Sequence, residues 1–391
     1  MIKKKAKSLL KGLGISVEPV LGALKIRSVA IDSKMVKKGD LFIALRGTAC
    51  NGHDFIEEAI KNGASLILAD EKKHMKERAK NIIKVDNTQD ALEILIKNFY
   101  CSPWKNMKMF GITGTNGKTT VSYLVENILN SARLRCGVIG TIKYKIGKNV
   151  IQATRTTPGV LELNDLLNKM KNAHLKAVSM EVSSHALDQE RIRGILFDAA
   201  IFTNLTHEHL DYHGSLKKYL ACKMKIFSHL KKKGIAVLNV DDRHAAFMKR
   251  SIRGKCITYG IKNCADVTAQ ILEENVEGSR FAVHIYKKHP FIIETKLPGR
   301  HNILNILAAI AACFGVGIKL EAIKRGIEAT KHIEGRLEPV RKKADFKVFI
   351  DYAHTHNALE NVLKFLTHIK RGKIITVFGC GGDRDKKKRP I

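Results

Sequence analysis

An apolar strand, Lys108-Met-Phe-Gly-Ile-Thr113, runs straight into Gly114-Thr-Asn-Gly-Lys-Thr-Thr120, and helical spacing follows from Lys118 to Asn130. Strand, glycine-bearing loop with Lys-Thr, and helix in that order restrict the chain to an α/β fold built around a phosphate-binding loop. Glycines let backbone N–H groups approach phosphate, and the helix N-terminus adds partial positive charge. Gly114, Thr115, Asn116, Gly117, Lys118, Thr119 and Thr120 are therefore candidate ATP contacts. Lys118 would reach the β/γ-phosphates, and Thr119 would offer its hydroxyl to Mg²⁺. The usual Gly-x-x-x-x-Gly-Lys-[Ser/Thr] spacing wants glycine where this chain has Ile112, so the loop is a variant.

The surrounding sequence alternates in the same way. Ala177–Val182, Asp198–Thr203 and Gly234–Val240 read as strands, and 302–314 and 320–330 as helices. Apolar runs set between helices predict parallel strands covered on both faces. Before this block, 26–104 reads as a smaller α/β unit. It has strands at Asp40–Leu45 and Ala64–Ala69 and helices at Phe55–Asn62 and Gln89–Phe99, the last stopped by Ser102-Pro103. After it, Phe346–Asp351 reads as a strand, 358–369 as a helix and Lys373–Phe378 as a strand. The expected domains are 1–104, 105–334 and 335–391. One strand–helix–strand unit is small for an independent core, so the third domain is expected to be incomplete as given.

Two polar clusters follow the middle strands: Glu181-Val-Ser-Ser-His185 and Asn204-Leu-Thr-His-Glu-His-Leu-Asp-Tyr-His213. Ligands of open parallel sheets bind beyond the carboxyl ends of the strands, which puts both clusters beside the phosphate loop. Glu181 suits a hard cation such as Mg²⁺. His207, Glu208, His209 and His213 lack His-Glu-x-x-His spacing for zinc, and spacing alone does not choose among them. Asp351-Tyr-Ala-His354 and Gly379-Cys-Gly-Gly-Asp-Arg384 also end strands, and Arg384 is shaped to grip a carboxylate.

Composition narrows the class. No apolar run reaches the ~18 residues of a membrane span. Behind the basic start, Ser8-Leu-Leu10 is too short for a signal peptide, so a cytosolic protein is expected. The eight cysteines form no Cys-x-x-Cys pair and predict neither disulfides nor zinc. The formal charge of +32 raises a basic NTPase that binds nucleic acid. The lysines are spread along the whole chain, with the densest run at Lys386–Arg389, and no nucleic-acid motif accompanies them. Anionic small substrates are the preferred reading: no nucleic acid, no membrane insertion, and a monomer.

Taken together, Gly114–Thr120, Glu181–His185, Asn204–Gly214, Gly335-Arg336, Asp351-Tyr-Ala-His-Thr355 and Gly379–Asp385 resemble the motifs of the Mur ligases, in the family's order and over residues 26 to 391. The resemblance implies three domains. The first takes the UDP end of a nucleotide-sugar peptide, the second is the ATPase, and a Rossmann-like third takes an amino acid. It implies ATP-dependent addition of a diamino acid, meso-diaminopimelate, to UDP-N-acetylmuramoyl-L-alanyl-D-glutamate through an acyl phosphate, in peptidoglycan precursor synthesis.

Residue by residue, the resemblance implies that Thr119, Glu181, His209 and a carbamylated Lys223 hold Mg²⁺, with Lys118, His209 and Lys223 catalytic. Asn302, Arg336 and Asp351 would join the loop around ATP. Ser33, Thr48, Ala49 and Cys50 would contact uridine. Thr156, Thr157, Ser183, Gln189 and Arg191 would hold the muramoyl-peptide end, and Arg384 the amino acid. His356 and Asn357 stand where the family has proline and aspartate. The family's Asp-Asn-Pro-Arg segment, which selects the diamino acid, is expected beyond Ile391. The alternatives are a related ligase such as a folylpolyglutamate synthetase, and an inactive nucleotide-binding fragment.

Overall fold

The computed structural model describes residues 3–47, 50–70, 80–288, 290–340, 346–370 and 372–379. The chain divides into two units by its internal contacts: Met1–Pro103 with Gly159–Asn168, and Trp104–Pro158 with Lys169–Ile391.

The first unit contains β1 (Lys4–Lys5), α1 (Ala6–Leu9), α2 (Pro19–Ala23), β2 (Lys25–Ile26), β3 (Val29–Ala30), β4 (Leu41–Ile43), α3 (Ile56–Lys61), β5 (Leu66–Asp70), β6 (Ile82–Val85) and α4 (Thr88–Tyr100). Strands β3 to β6 pair in that order, all parallel. Every residue of β5 is buried, as expected for an inner parallel strand. Asn87 caps α4 by accepting from the N–H groups of Gln89 and Asp90, and Ala91, Leu92, Leu95 and Ile96 put its apolar face into the core. The helix closes at Cys101, just before the proline that bars its continuation.

The second unit begins with β7 (Lys108–Thr113), α5 (Lys118–Ser131), β8 (Cys136–Ile139), β9 (Lys143–Ile146) and β10 (Asn149–Gln152). Next comes α6 (Val160–Asn172), whose residues up to Asn168 group with the first unit. Then follow β11 (Ala177–Glu181), α7 (Ser184–Asp188), β12 (Phe197–Phe202), α8 (Leu210–His213), α9 (Leu216–Met224), β13 (Leu230–Asn239), α10 (Ala245–Ser251) and β14 (Lys255–Gly260). The unit continues with β15 (Val267–Asn275), β16 (Gly278–Ile285), β17 (Phe291–Thr295), α11 (Arg300–Gly315) and α12 (Leu320–Glu328), and ends with β18 (Glu338–Val340), β19 (Val348–Ile350) and α13 (His356–Ile369).

One 11-stranded sheet organises this unit, in the order β10-β9-β8-β11-β7-β12-β13-β14-β15-β16-β17. From β8 to β15 neighbouring strands are parallel. The flanking arms β9–β10 and β15–β17 are antiparallel, and their half-polar sequences gave no clear signal. α5 and α11 cover one face. Leu124, Val125 and Ile128 of α5 are fully buried, each contributing about 1.5–3 kcal/mol of apolar burial.

The expected strand at Lys373–Phe378 does not form. Residues 372–379 carry no regular structure among those described, and Ile375, Val377 and Phe378 are exposed. An apolar run becomes a strand only beside an edge with free N–H and C=O groups. The short β19, within the expected 346–351 strand, pairs instead with β18, which was not expected.

Candidate active site

The strands β7, β11 and β12 end side by side, because Glu181 registers against Ile112 and Phe202 against Thr113. Everything that follows these three ends therefore converges. Gly114 has φ +147°, and a Cβ there would stand 1.8 Å from Thr203 Oγ1. Only glycine fits this close approach. The loop is stitched to the segment after β12. The N–H groups of Thr115 and Asn116 donate to Asn204 O (2.8 Å) and Asn204 Oδ1 (2.9 Å). Thr203 Oγ1 donates to Asn116 O at 2.6 Å, and Thr206 N–H donates to Thr115 Oγ1 at 3.0 Å.

Gly117, at φ +87°, opens α5, and no side chain caps this helix. Its first N–H groups and its dipole are thus left for an anion. Lys118 Nζ folds back to donate to Gly114 O (3.0 Å) and Thr115 O (2.9 Å). Burial pulls its pKa below the usual value; Glu181 opposes this, Arg336 adds to it and Glu208 opposes it.

Three groups surround the loop. Glu181 is fully buried, and its carboxylate accepts from Thr141 N–H (2.8 Å) and Thr141 Oγ1 (2.9 Å). His209 takes the left-handed backbone at φ 55°, a costly conformation for a non-glycine residue and one that clusters at functional sites. Burial, then the positive charge around it, pushes its imidazole down to about 3, so it stays neutral at physiological pH. Its ring stands 4.9 Å from that of His185.

Lys223 is 1% exposed, donates to Gly114 O at 2.8 Å and lies 4.5 Å from the centre of the Tyr219 ring. Burial, then Lys118, drives its pKa well below the lysine range. Sequence could not separate it from Lys217, Lys218 and Lys225, all of which are exposed.

The residues expected at the peptide end also meet one another. Thr157 Oγ1 donates to Glu181 O (2.8 Å) and accepts from Ser183 N–H (3.0 Å). Arg191 donates to Thr157 O (3.0 Å) and to Gln189 Oε1, while Thr156 lies 3.1 Å from Thr141 through their hydroxyls. Arg336 donates to Thr119 Oγ1 at 3.0 Å and stacks over Tyr352 at 5.2 Å. Asp351 accepts from Leu337 and Ala353 N–H, both at 2.7 Å. Asn302 is buried and donates to Pro298 O, and its neighbour Asn305 reaches the loop beside Gly117.

Within the first unit, Ser33 is buried and donates to Glu58 at 2.5 Å, while Cys50 is exposed and its carbonyl accepts from Gly47 N–H. Thr48, Ala49 and Arg384 lie outside the described residues. Sequence reasoning did not single out Thr141, Thr203 or Tyr219, and it named Thr355 and Asn357 without placing them at the loop. The last two meet Asn116 of the loop at 3.3 and 3.4 Å, and only tertiary contact reveals them.

Oxygen donors from Thr119 and Glu181 match the preference of Mg²⁺ for hard ligands, and the neutral His209 adds a nitrogen donor of borderline softness. No group of three metal-capable His, Cys, Asp or Glu residues occurs among the described residues. A cation here would therefore depend on ATP oxygens, on water, or on a carbamate at Lys223.

The family model described as the Mur ligase middle domain matches residues 112–313, which is more than half the chain. The chain belongs to the Mur ligase family. Two further Mur ligase models, the catalytic domain and the glutamate ligase domain, match 25–100 and 335–391. The UDP-N-acetylmuramoyl-L-alanyl-D-glutamate–2,6-diaminopimelate ligase of Oceanobacillus iheyensis is 39% identical over 373 residues, covering 94% of this chain and 75% of that protein. The enzyme of the same name from Caldanaerobacter subterraneus is 41% identical over 368 residues, with 94% and 75% covered. A solved structure of a ligase of this name superposes with a TM-score of 0.79 at 30% identity, over 99% of this chain and 79% of the other. Mur ligases form carbon–nitrogen bonds at the expense of ATP, and this chain is such a ligase. No helix among the described residues is long and apolar enough to cross a membrane.

Proposed function

We infer that this Mur ligase joins 2,6-diaminopimelate to UDP-N-acetylmuramoyl-L-alanyl-D-glutamate. ATP first phosphorylates the D-glutamate carboxylate, giving ADP and an acyl phosphate. An amine of the diamino acid then attacks the carbonyl carbon. The tetrahedral intermediate expels inorganic phosphate and loses the amine proton, leaving an amide. The observation that carries this reading is the meeting of two sites at one sheet edge. The anion hollow of Gly114–Thr120 lies there beside the Thr157–Ser183–Arg191 network, in a chain about two-fifths identical to ligases of that name.

The chain's own groups divide the work. The α5 N-terminus and Lys118 gather the β- and γ-phosphates, which is most of what phosphoryl transfer asks of a protein. Arg336, held over Tyr352, brings a second cation to the Thr119 side of the loop. Thr157, Ser183 and Arg191 orient the peptide carboxylate. Thr119, Glu181, His209 and Lys223 as its carbamate are the groups to hold Mg²⁺, which when bound neutralises phosphate charge. The desolvated Lys223 amine suits carbamate formation, because only an unprotonated amine adds to CO₂.

A coupled phosphate-release assay tests the proposal. Release should require UDP-N-acetylmuramoyl-dipeptide and diaminopimelate together, and a mass increase should appear on the nucleotide-peptide. Phosphate release that ignores the nucleotide-peptide, or that a folate substrate supports equally, would overturn it.

A further inference from the structure

The six strands β8, β11, β7, β12, β13 and β14 start at the edge opposite the phosphate loop, and that edge is strongly basic. Ala177 registers against both Cys136 and Lys108. Lys176 and Arg135, each one residue earlier, therefore line up with Lys108 across three adjacent strands, Lys176 in the middle. Further along, Phe197 pairs with Leu230 but Ala199 pairs with Ile235. Asp198 alone thus faces Lys231–Gly234, and the extra residues of β13 bulge out of the sheet. Glycine is needed there, since a Cβ on residue 234 would stand 2.8 Å from Phe197 O.

The bulge sorts its lysines, as bulges re-aim side chains. Lys231 turns back to Asp198 (2.7 Å) and Met107 O (3.3 Å). Lys232 and Lys233 are left exposed. On the next strand Ile235 faces Lys255, so exposed Arg253 and Lys255 continue the row. Among the described residues of these six strand starts Asp198 is the carboxylate, and it is engaged by Lys231 and by Met109 N–H. The opposite edge is mixed in charge: Glu181, Glu208, Asp211, Asp241 and Asp242 stand there with Lys118, Lys223 and Arg336. A lysine-rich composition alone would load both edges equally. At about 4.8 Å per strand the row extends about 24 Å, and its charges lie within a Debye length of their neighbours.

We propose that this row, from Arg135 to Lys255, docks the protein on an anionic membrane surface. Charge complementarity calls for a polyanion, and the details favour lipid over nucleic acid. No aromatic ring is exposed in the strand starts to stack a base. Lysine outnumbers arginine, giving point charges in place of the forked donors that fix individual phosphates. Headgroups can move laterally to meet such a shallow, spread row. Docking there leaves the phosphate loop, on the far edge, open to diffusing substrates.

The test is co-sedimentation of the full chain with phosphatidylcholine vesicles with and without phosphatidylglycerol. Binding should require phosphatidylglycerol and weaken with salt. Replacing Lys232→Glu, Lys233→Glu and Arg253→Glu together should lower the partition coefficient by about tenfold or more. The same three-charge change at exposed Lys34, Lys37 and Lys61 of the first unit should change it little. Thermal melts check folding, and the milder pair Lys232→Gln, Lys233→Gln serves if the triple variant unfolds. An equal loss in both variants would show diffuse charge only. Binding to duplex nucleic acid with none to phosphatidylglycerol would assign the row to a different partner. Either outcome, or no vesicle binding at all, overturns the proposal.

Discussion

Replacing Gly114 with alanine probes the loop at its tightest point. Two costs arise. The φ of +147° is nearly closed to residues with a Cβ, at about 1–3 kcal/mol. The new methyl would also stand 1.8 Å from Thr203 Oγ1, with Asn204 N and Thr203 Cβ at 3.1 Å. Turning the Thr203 hydroxyl aside would break its bond to Asn116 O, and Thr203 is only 2% exposed. A buried hydroxyl left without a partner adds about 1–3 kcal/mol. The sum is about 2–6 kcal/mol, concentrated on the backbone that frames the anion hollow. Calorimetric titration with a non-hydrolysable ATP analogue should show affinity lowered by about tenfold or more, and the melting temperature should fall.

The double variant Gly114→Ala, Thr203→Ala isolates the steric part. It removes the 1.8 Å contact but keeps the backbone strain, so its cost should fall short of the sum of the single costs by about 1 kcal/mol or more. If Gly114→Ala binds and melts like the wild type, or if the two changes simply add, the argument from close approach is refuted.

Other outcomes follow from the same geometry. Lys118→Met should cut kcat by about a hundredfold or more while leaving the melting temperature unchanged or higher, because a desolvated cation is removed; a large loss of stability would contradict this. Arg336→Ala should raise the KM for ATP by about tenfold, with Arg336→Lys restoring only part, since it keeps the charge but not the planar guanidinium that donates to Thr119 and lies over Tyr352; full rescue by lysine would argue for charge alone. Glu126 on α5 is buried, and burial raises its pKa even though Lys145 lies 2.5 Å away and opposes the shift. A carboxyl raised in the folded state stabilises fully below its unfolded pKa, and that contribution is lost as pH rises through the folded value. Glu126→Gln should therefore gain stability relative to wild type as pH rises from 4 toward neutrality, seen in paired melts; a difference that does not vary with pH would refute the buried ionisation.

Much was legible because the signals were local. The Gly114–Thr120 loop needs a particular run of residues after a strand and before a helix, so the sequence by itself determined an α/β nucleotide-binding fold. The apolar runs at 177–182, 198–203 and 234–240 were fit only for covered parallel strands, and all three formed. The strand expected at 373–378 failed because strand formation depends on a partner edge, which no run of residues encodes alone.

The tertiary structure decided what depends on proximity. Lys223 differs from Lys217 and Lys218 in burial, not in sequence context, and burial is what lowers its pKa. Thr203 matters because β12 pairs with β7, 90 residues away along the chain, which puts its hydroxyl where a Cβ on Gly114 would be. Glu181 and His209 come close to Lys118 of the loop for the same reason. Residue types set the chemistry each position can offer. Strand register, fixed by burying the sheet between α5, α11 and its other cover, set which of those chemistries meet.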